Sequence, residues 1–197
     1  MVVSSAYFRK SIYLEYGILS WNIIGVAILG WIVPAIHSVA LTAFGFLTLM
    51  AAGTSLVAIW KLKEQAKNRR KKILRVISMA YIALGGYLIF QNNWNLIYQV
   101  VPAKSLPAVT WVGLTVIVMG LSALKKNRFG HKLHNDTLLK SGRSTLTHAG
   151  LGSIVFASMI LLSQINCWRA DVVAGFILMG YCFYECRQTW VAARNQI

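Results

Sequence analysis

Two cysteines near the end of the chain are the first candidates for chemistry. Cys182 and Cys186 are four residues apart and share one face of a helix, and His148 lies on an earlier apolar segment. Thiolate and imidazole groups together bind ions such as Cu(I) or Zn(II). Cysteine is also a common buried apolar residue, and it can take part in redox chemistry or acylation. We therefore expect packing, with a soft-metal site as the alternative.

Carboxylates are scarce, which limits acid–base and metal chemistry. The only acidic residues are Glu15, Glu64, Asp136, Asp171 and Glu185. Of these, Glu15 and Glu185 lie close enough to the interior of an apolar segment to matter. We predict that Glu15 pairs with Arg9 or Lys10 at the membrane boundary. Glu185 is expected to pair with Arg187, and a proton relay is the alternative for each carboxylate.

Enzyme motifs are missing from the chain. It contains no GxSxG, HExxH or phosphate-binding loop, and no paired carboxylates within an apolar segment. Hydrolysis or group transfer would need a nucleophile and a base within reach of each other. We predict that the chain is not an enzyme and needs no cofactor.

Composition predicts an all-α polytopic membrane protein. Of the 197 residues 57% are apolar and 13% charged, whereas soluble domains have about a quarter charged. Six stretches approach the ~20 residues that cross a bilayer. The first follows Arg9 and Lys10 without a small-residue cleavage site, which favours a retained helix over a signal peptide. Residues 1–197 then form one domain without a soluble part, with spans at approximately 15–34, 38–60, 73–95, 107–124, 145–165 and 170–190.

The distribution of basic residues predicts the orientation. All but Lys104 and Arg169 of the 20 Lys and Arg residues fall on one side of the six spans, mainly in segments 61–75 and 125–143. The positive-inside rule then places both termini in the cytoplasm, in an inner membrane. We expect these segments to meet anionic lipid headgroups, with an acidic protein partner as the alternative and no nucleic acid.

Polar and small residues within the spans suggest internal contacts. The polar residues of spans 1 and 2 are expected to hydrogen-bond neighbouring helices or to line a pathway. The small-residue stripe of span 5 permits close packing on span 2 or 6, or a homodimer seam. Six tryptophans near predicted span ends are expected to be interface anchors. These three sets are Asn22, Thr48, Thr54 and Ser55; Ala149, Ser153 and Ala157; and Trp21, Trp60, Trp94, Trp111, Trp168 and Trp190.

Three stretches of the sequence are informative when taken together. They are RKSIYLEYGILSWNIIG, HSVALTAFGFLTLMAAGTSLVAIWKL and WRADVVAGFILMGYCFYECRQTW. These stretches resemble the cation diffusion facilitator (cation efflux) family, in its short form without a C-terminal cytoplasmic domain. The resemblance spans nearly the whole chain. The matching residues are Leu14, Glu15, Tyr16, Trp21, Asn22, Ser38, Ala40, Leu41, Phe44, Gly45, Trp60, Leu62, Trp168, Ala170, Asp171, Val173, Ala174, Glu185 and Trp190.

The resemblance implies a six-span, dimeric, generally proton-coupled exporter of divalent metal ions, with both termini cytoplasmic. In that family acidic or His residues hold the metal at mid-membrane. The corresponding positions here are Gly25, Leu47, Ala51 and, within about one residue, Gly142. None of these side chains can replace the water shell of a dication, so we predict no metal site there.

Two functions remain open from the sequence. The first is a divergent transporter of cation-efflux type or an inactive subunit that assembles as a homodimer or with a related transporter. The alternative is a helical scaffold that does not transport and whose basic segments bind anionic lipid or an acidic protein. A polar path across the spans would favour the transporter.

Overall fold

Six long helices form the protein in a computed structural model. The structure describes residues 2–63 and 67–194, with side chains from 9 to 63 and from 69 to 194. No strand occurs in these ranges, which confirms the predicted all-α membrane bundle. The helices are α1 (Val2–Ile36), α2 (Val39–Leu62), α3 (Lys67–Tyr98), α4 (Leu106–Lys132), α5 (Asp136–Ile165) and α6 (Arg169–Arg194).

Five helices, α1 to α5, are long and apolar enough to cross a membrane. The sixth, α6, falls short in apolarity because its second half carries Glu185, Arg187 and several polar side chains. It is nevertheless 26 residues long, or about 39 Å at roughly 1.5 Å per residue. It contacts α2, α3 and α5 within the bundle. A sixth crossing therefore stays a prediction, which this packing supports.

Helix α2 occupies the centre of the bundle. It contacts α1, α3, α5 and α6, whereas α4 packs mainly on α5. Phe44 and Leu47 of α2 are buried beside Leu88 of α3 and Leu178 of α6 in the main apolar core. Large apolar side chains such as Trp31 lie on the outside, as expected where lipid replaces water. Residues on α2 therefore meet the interior faces of most other helices.

The turn between α1 and α2 is fixed by α6. His37 adopts a left-handed φ of 57°, and Ser38 caps α2 by accepting a hydrogen bond from the Leu41 amide at 3.0 Å. Asp171 of α6 accepts hydrogen bonds from the Ser38 hydroxyl at 2.5 Å and from the Val39 amide at 2.9 Å. The carboxylate thus satisfies a free amide at the positive end of α2.

The basic segments are more helical than a loop interpretation predicts. Segment 125–143 is interrupted only around 133–135, between the end of α4 and the start of α5. Segment 61–75 is likewise helical from Lys67 onward. At the opposite end α3 continues to Tyr98, three residues beyond the predicted end of span 3. Glu64 lies outside the described residues.

Two of the predicted tryptophan anchors stack on each other. The rings of Trp21 on α1 and Trp111 on α4 have centroids 5.1 Å apart and an interplanar angle of 11°. Both side chains are half-buried, and both indole nitrogens are buried. Their N–H groups therefore do not reach lipid headgroups, as those of anchors would.

Candidate solute cavity

A cavity of about 520 Å³, with polar groups on a largely apolar wall, opens at the basic end of the bundle. Its wall comes mainly from α1, the second half of α2, the first half of α5 and the last turns of α6. His148 is the lining residue farthest along α5. It lies about 18 Å from Asp136, the first residue of that helix, at roughly 1.5 Å per residue. The cavity therefore reaches well into the membrane-spanning part of the helices.

Hydroxyl groups dominate the polar wall of the cavity. Those of Thr54, Thr147 and Thr189 donate to carbonyls of their own helices. Those of Ser55 and Ser144 form no hydrogen bond with any described residue. The hydroxyl-bearing residues of the wall are Thr54, Ser55, Thr137, Ser141, Ser144, Thr145, Thr147, Tyr184 and Thr189.

Asn22 and His148 form the deep end. Asn22 is fully buried, and neither its amide nitrogen nor its amide oxygen has a partner among the described residues. The His148 ring stacks on Phe44 with centroids 5.1 Å apart, and its Nε2 lies 3.4 Å from the Thr48 hydroxyl. A buried amide without a partner costs about 1–3 kcal/mol, so Asn22 calls for a ligand or water.

Of the predicted pathway residues, the structure brings Asn22, Thr54 and Ser55 to the cavity wall. Thr48 lies behind the wall, because its hydroxyl donates to the Phe44 carbonyl at 2.8 Å. The span 5 hydroxyls that line the cavity with them belong to its first turns. Polar groups of spans 1, 2 and 5 therefore share one cavity.

Further unpartnered donors lie on α1 and α4. The indole N–H groups of Trp21 and Trp111 and the hydroxyl of Thr115 are buried without partners among the described side chains. Gly25 of α1 packs closely against α2 and α4, since a Cβ added there would lie 3.4 Å from Thr48 Cγ2 and 3.8 Å from Trp111 Nε1. Two N–H groups and one hydroxyl are thus buried without partners among the described residues on these two helices.

The mouth of the cavity is cationic. Lys61, Lys140 and Arg143 line it and are exposed, and their cationic groups form no hydrogen bond or ion pair with a described residue. Glu185 is the one carboxylate among the lining residues, and it accepts a hydrogen bond from the Tyr181 hydroxyl at 2.9 Å. Glu185 does not form the predicted ion pair with Arg187, because its carboxylate faces the bundle and not the boundary.

A buried ion pair lies directly behind the wall. Lys126 Nζ is 2.9 Å from Glu15 Oε2, and both side chains are fully buried. Lys126 also donates to Ser141 Oγ at 2.9 Å and to Thr145 Oγ1 at 3.0 Å. Ser141 in turn donates to Glu15 Oε1 at 2.6 Å. The pair thus joins α1, α4 and α5 through two hydroxyls of the cavity wall.

Sequence reasoning assigned both members of this pair wrongly. Glu15 does not pair with Arg9 or Lys10, and Lys126 is not a headgroup contact in a loop. The spacing of the buried residues of α4 indicates that Lys126 is buried, because these positions continue from Met119 through Ala123 to Lys126. Extending that period beyond the apolar span would have placed Lys126 on the buried face.

The family's metal positions hold no donor. Leu47 is buried in the core, Ala51 lines the cavity and Gly25 faces Thr48. Gly142 lies against the side chains of Asn127 and Lys126. Among the described side chains, no group of three or more His, Cys, Asp or Glu residues could hold a metal ion.

The soft-metal candidates are not gathered in one place. Cys182 is buried in the apolar core, and the Cys186 Sγ lies 3.4 Å from the Ser78 hydroxyl. His148 belongs to the cavity. This arrangement fits the expected packing role of the two cysteines.

The two cysteines should respond differently to substitution. Cys182→Ser is expected to lower the free energy of unfolding by about 1–2 kcal/mol, because it places a hydroxyl without a partner in the apolar core. Cys186→Ser is the matched control and should cost less than about 0.5 kcal/mol, since Ser78 offers a polar neighbour. Thermal unfolding in detergent would measure both. Equal losses would contradict the apolar environment of Cys182.

The small-residue stripe of α5 is only partly inside the bundle. Ala149 packs with Ile18 and Met119, whereas Ser153 and Ala157 are exposed. The structure thus does not place those two against α2 or α6. The homodimer seam through them stays a prediction.

Comparison with known proteins adds no assignment. No protein-family model matches this chain, and no curated protein matches it. The functional argument therefore depends on the cavity and on the residues around it.

Proposed function

We propose that the chain is a membrane transporter that admits a small hydrophilic solute to the cavity from its basic, cytoplasmic side. The observation that carries this proposal is the cavity of about 520 Å³, whose polar groups extend to Asn22 and His148. Polar groups within membrane helices are costly, and where they line a cavity they commonly mark a solute path. The unpartnered amide of Asn22 supports this proposal over a scaffold without transport.

A second cavity with polar groups in its wall supports a path through the bundle. Its volume is about 390 Å³, and it lies at the opposite end between α1, α2 and α3. Its polar side chains include those of His37, Ser38, Thr42, Gln91 and Asn95. The Asn95 amide nitrogen is buried without a partner among the described residues.

Helix α2 lines both cavities. Thr42 belongs to the outer cavity and Ala51 to the inner one. They are about 13 Å apart along α2 at roughly 1.5 Å per residue. Between them the core residues Phe44 and Leu47 close the path. Transport would require this layer to open toward one cavity at a time.

The resemblance to cation efflux proteins enters the proposal as scaffold alone. The four family positions carry no metal ligand, so the solute is not a divalent metal held in that manner. The basic end is cytoplasmic in this proposal, in line with the positive-inside rule.

Two-sided access to Ala51 tests the proposal. In a background with Cys167, Cys182 and Cys186 replaced by Ala, Ala51→Cys is labelled in oriented vesicles with membrane-impermeant thiol reagents of either charge. We expect labelling from the basic side, and labelling from the other side that is about 10- to 1,000-fold slower, because a minor conformation is populated at about 0.1–10%.

Three control positions make the result decisive. Ala43→Cys lies in the core and should not react. Lys125→Cys and Lys104→Cys report the two surfaces and verify the sidedness of the vesicles. Labelling of Ala51→Cys from one side alone would favour the non-transporting scaffold, whose basic end contacts lipid or an acidic protein.

A further inference from the structure

We infer that the cavity binds a small oxyanion, a solute that carries a carboxylate or phosphate group. This inference rests on the proposed function, since it names the class of solute that the same cavity would take. It departs from the divalent cations that the resemblance implies. The argument comes from the charges at the mouth, the donors in the wall and the size of the space.

The charged groups around the cavity favour an anion. Lys61, Lys140 and Arg143 provide three cationic groups without a partner in the described chain, against the single carboxylate of Glu185. The carboxylate of Glu185 is already bound by the Tyr181 hydroxyl. The buried pair behind the wall is neutral overall. A cleft with low-dielectric walls and one excess sign of charge concentrates ions of the opposite sign.

The wall offers free hydrogen-bond donors beside acceptors. Ser55 and Ser144 retain hydroxyl protons that no described residue accepts, and Asn22 retains two amide protons beside its free amide oxygen. The hydroxyls of Thr54, Thr147 and Thr189 give their protons to backbone carbonyls, so they can only accept from a ligand. An ionised oxygen accepts such donors more strongly than a neutral one. The wall therefore offers an anion free donors both at the mouth and at depth.

Membrane topology alone predicts basic residues at this end of the bundle. The basic residues that line the cavity must therefore be distinguished from those that do not. Lys140 and Arg143 stand on the first turns of α5 and line the cavity, whereas Lys72, Arg75 and Arg128 are exposed without lining it. The positive-inside rule predicts the basic residues of both sets equally. Anion binding in the cavity requires only Lys61, Lys140 and Arg143. The volume of about 520 Å³ is within the usual range for small-molecule sites, roughly 300–1,000 Å³.

The test compares reagents of opposite charge at Ala51→Cys in the same cysteine-replaced background. The anionic probe is sulfonatoethyl methanethiosulfonate and the cationic probe is trimethylammonioethyl methanethiosulfonate, each normalised to its rate with a free thiol. We expect the anionic probe to react about tenfold faster, given three cations at the mouth. Replacing Lys61, Lys140 and Arg143 by Gln should bring the ratio close to one.

A charge-matched control and competing ligands complete the design. Lys72→Gln, Arg75→Gln and Arg128→Gln remove the same net charge and should leave the ratio high. Inorganic phosphate and succinate, added separately, should slow labelling, with the stronger competitor distinguishing phosphate from carboxylate chemistry. Glycerol at equal concentration should have no effect.

The possible failures are distinguishable. Faster reaction of the cationic probe would overturn the anion assignment and leave the proposed transport intact. Preference for the anionic probe without competition by phosphate or succinate would show an electrostatic potential without a binding site, and would also overturn it. Absence of labelling by either probe from both sides would overturn the proposed function as well.

Discussion

Lys126→Met is expected to lower the free energy of unfolding by about 3–5 kcal/mol, since it leaves the buried carboxylate of Glu15 without its cation. Lys126 also donates to Ser141 and Thr145, so both hydroxyls lose a donor. The loss is a large share of the roughly 5–15 kcal/mol that stabilises a typical domain. Equilibrium unfolding in mixed detergent micelles would measure it.

Lys125→Met is the matched control for this prediction. It removes the same charge from the preceding residue, which is exposed, and should change stability by no more than about 0.5 kcal/mol. Adding Glu15→Gln to Lys126→Met removes the stranded charge, so the double variant should be more stable than the sum of the single losses by at least about 1 kcal/mol. Similar losses from the two lysine substitutions would contradict a buried ion pair.

Asp171→Ala is expected to cost about 2–3 kcal/mol, because it strands two buried donors at the start of α2. These are the Ser38 hydroxyl, at 2.5 Å from the carboxylate, and the Val39 amide, at 2.9 Å. Hydrogen bonds to a charged group are worth about 1.5–3 kcal/mol, and the carboxylate also faces the positive end of α2. The loss should appear in the same unfolding measurement.

Asp136→Ala provides the comparison for a carboxylate at a helix start. Asp136 is exposed at the first residue of α5, so its loss should cost less than about 1 kcal/mol. Ser38→Ala should cost less once Asp171 is Ala, because their shared contact is already lost and only the N-cap of α2 remains to be removed, worth about 1 kcal/mol. A loss in the double variant equal to the sum of the two single losses would show that Asp171 does not stabilise the protein through Ser38.

The number and order of the helices follow from the sequence alone. Apolar runs near 20 residues have few alternatives to membrane helices, because backbone groups in lipid must be satisfied within their own segment. The turns are local as well: Pro107 stands in the first turn of α4, after the Ser105 cap. The helices extend beyond the apolar spans at one or both ends, since helix formation continues into polar sequence that a hydropathy pattern leaves out.

The neighbours of the polar side chains were decided by the tertiary structure. Glu15 lies near Arg9 and Lys10 in sequence, yet it pairs with Lys126, more than a hundred positions away. Trp21 and Trp111 lie where interface anchors are expected and instead stack on each other. Hydropathy assigns a residue to a depth in the membrane, but the rotation of each helix about its axis decides which side chains meet.

By itself, then, the sequence determined the helical class, the sequence of elements and a surplus of cations at one end, because these depend on local composition. Only the tertiary structure decided that hydroxyls of α2 and α5, the amide of Asn22 and three of those cations surround one space of about 520 Å³. A cavity is a volume left between several helices. It depends on how their faces diverge, which no single segment encodes.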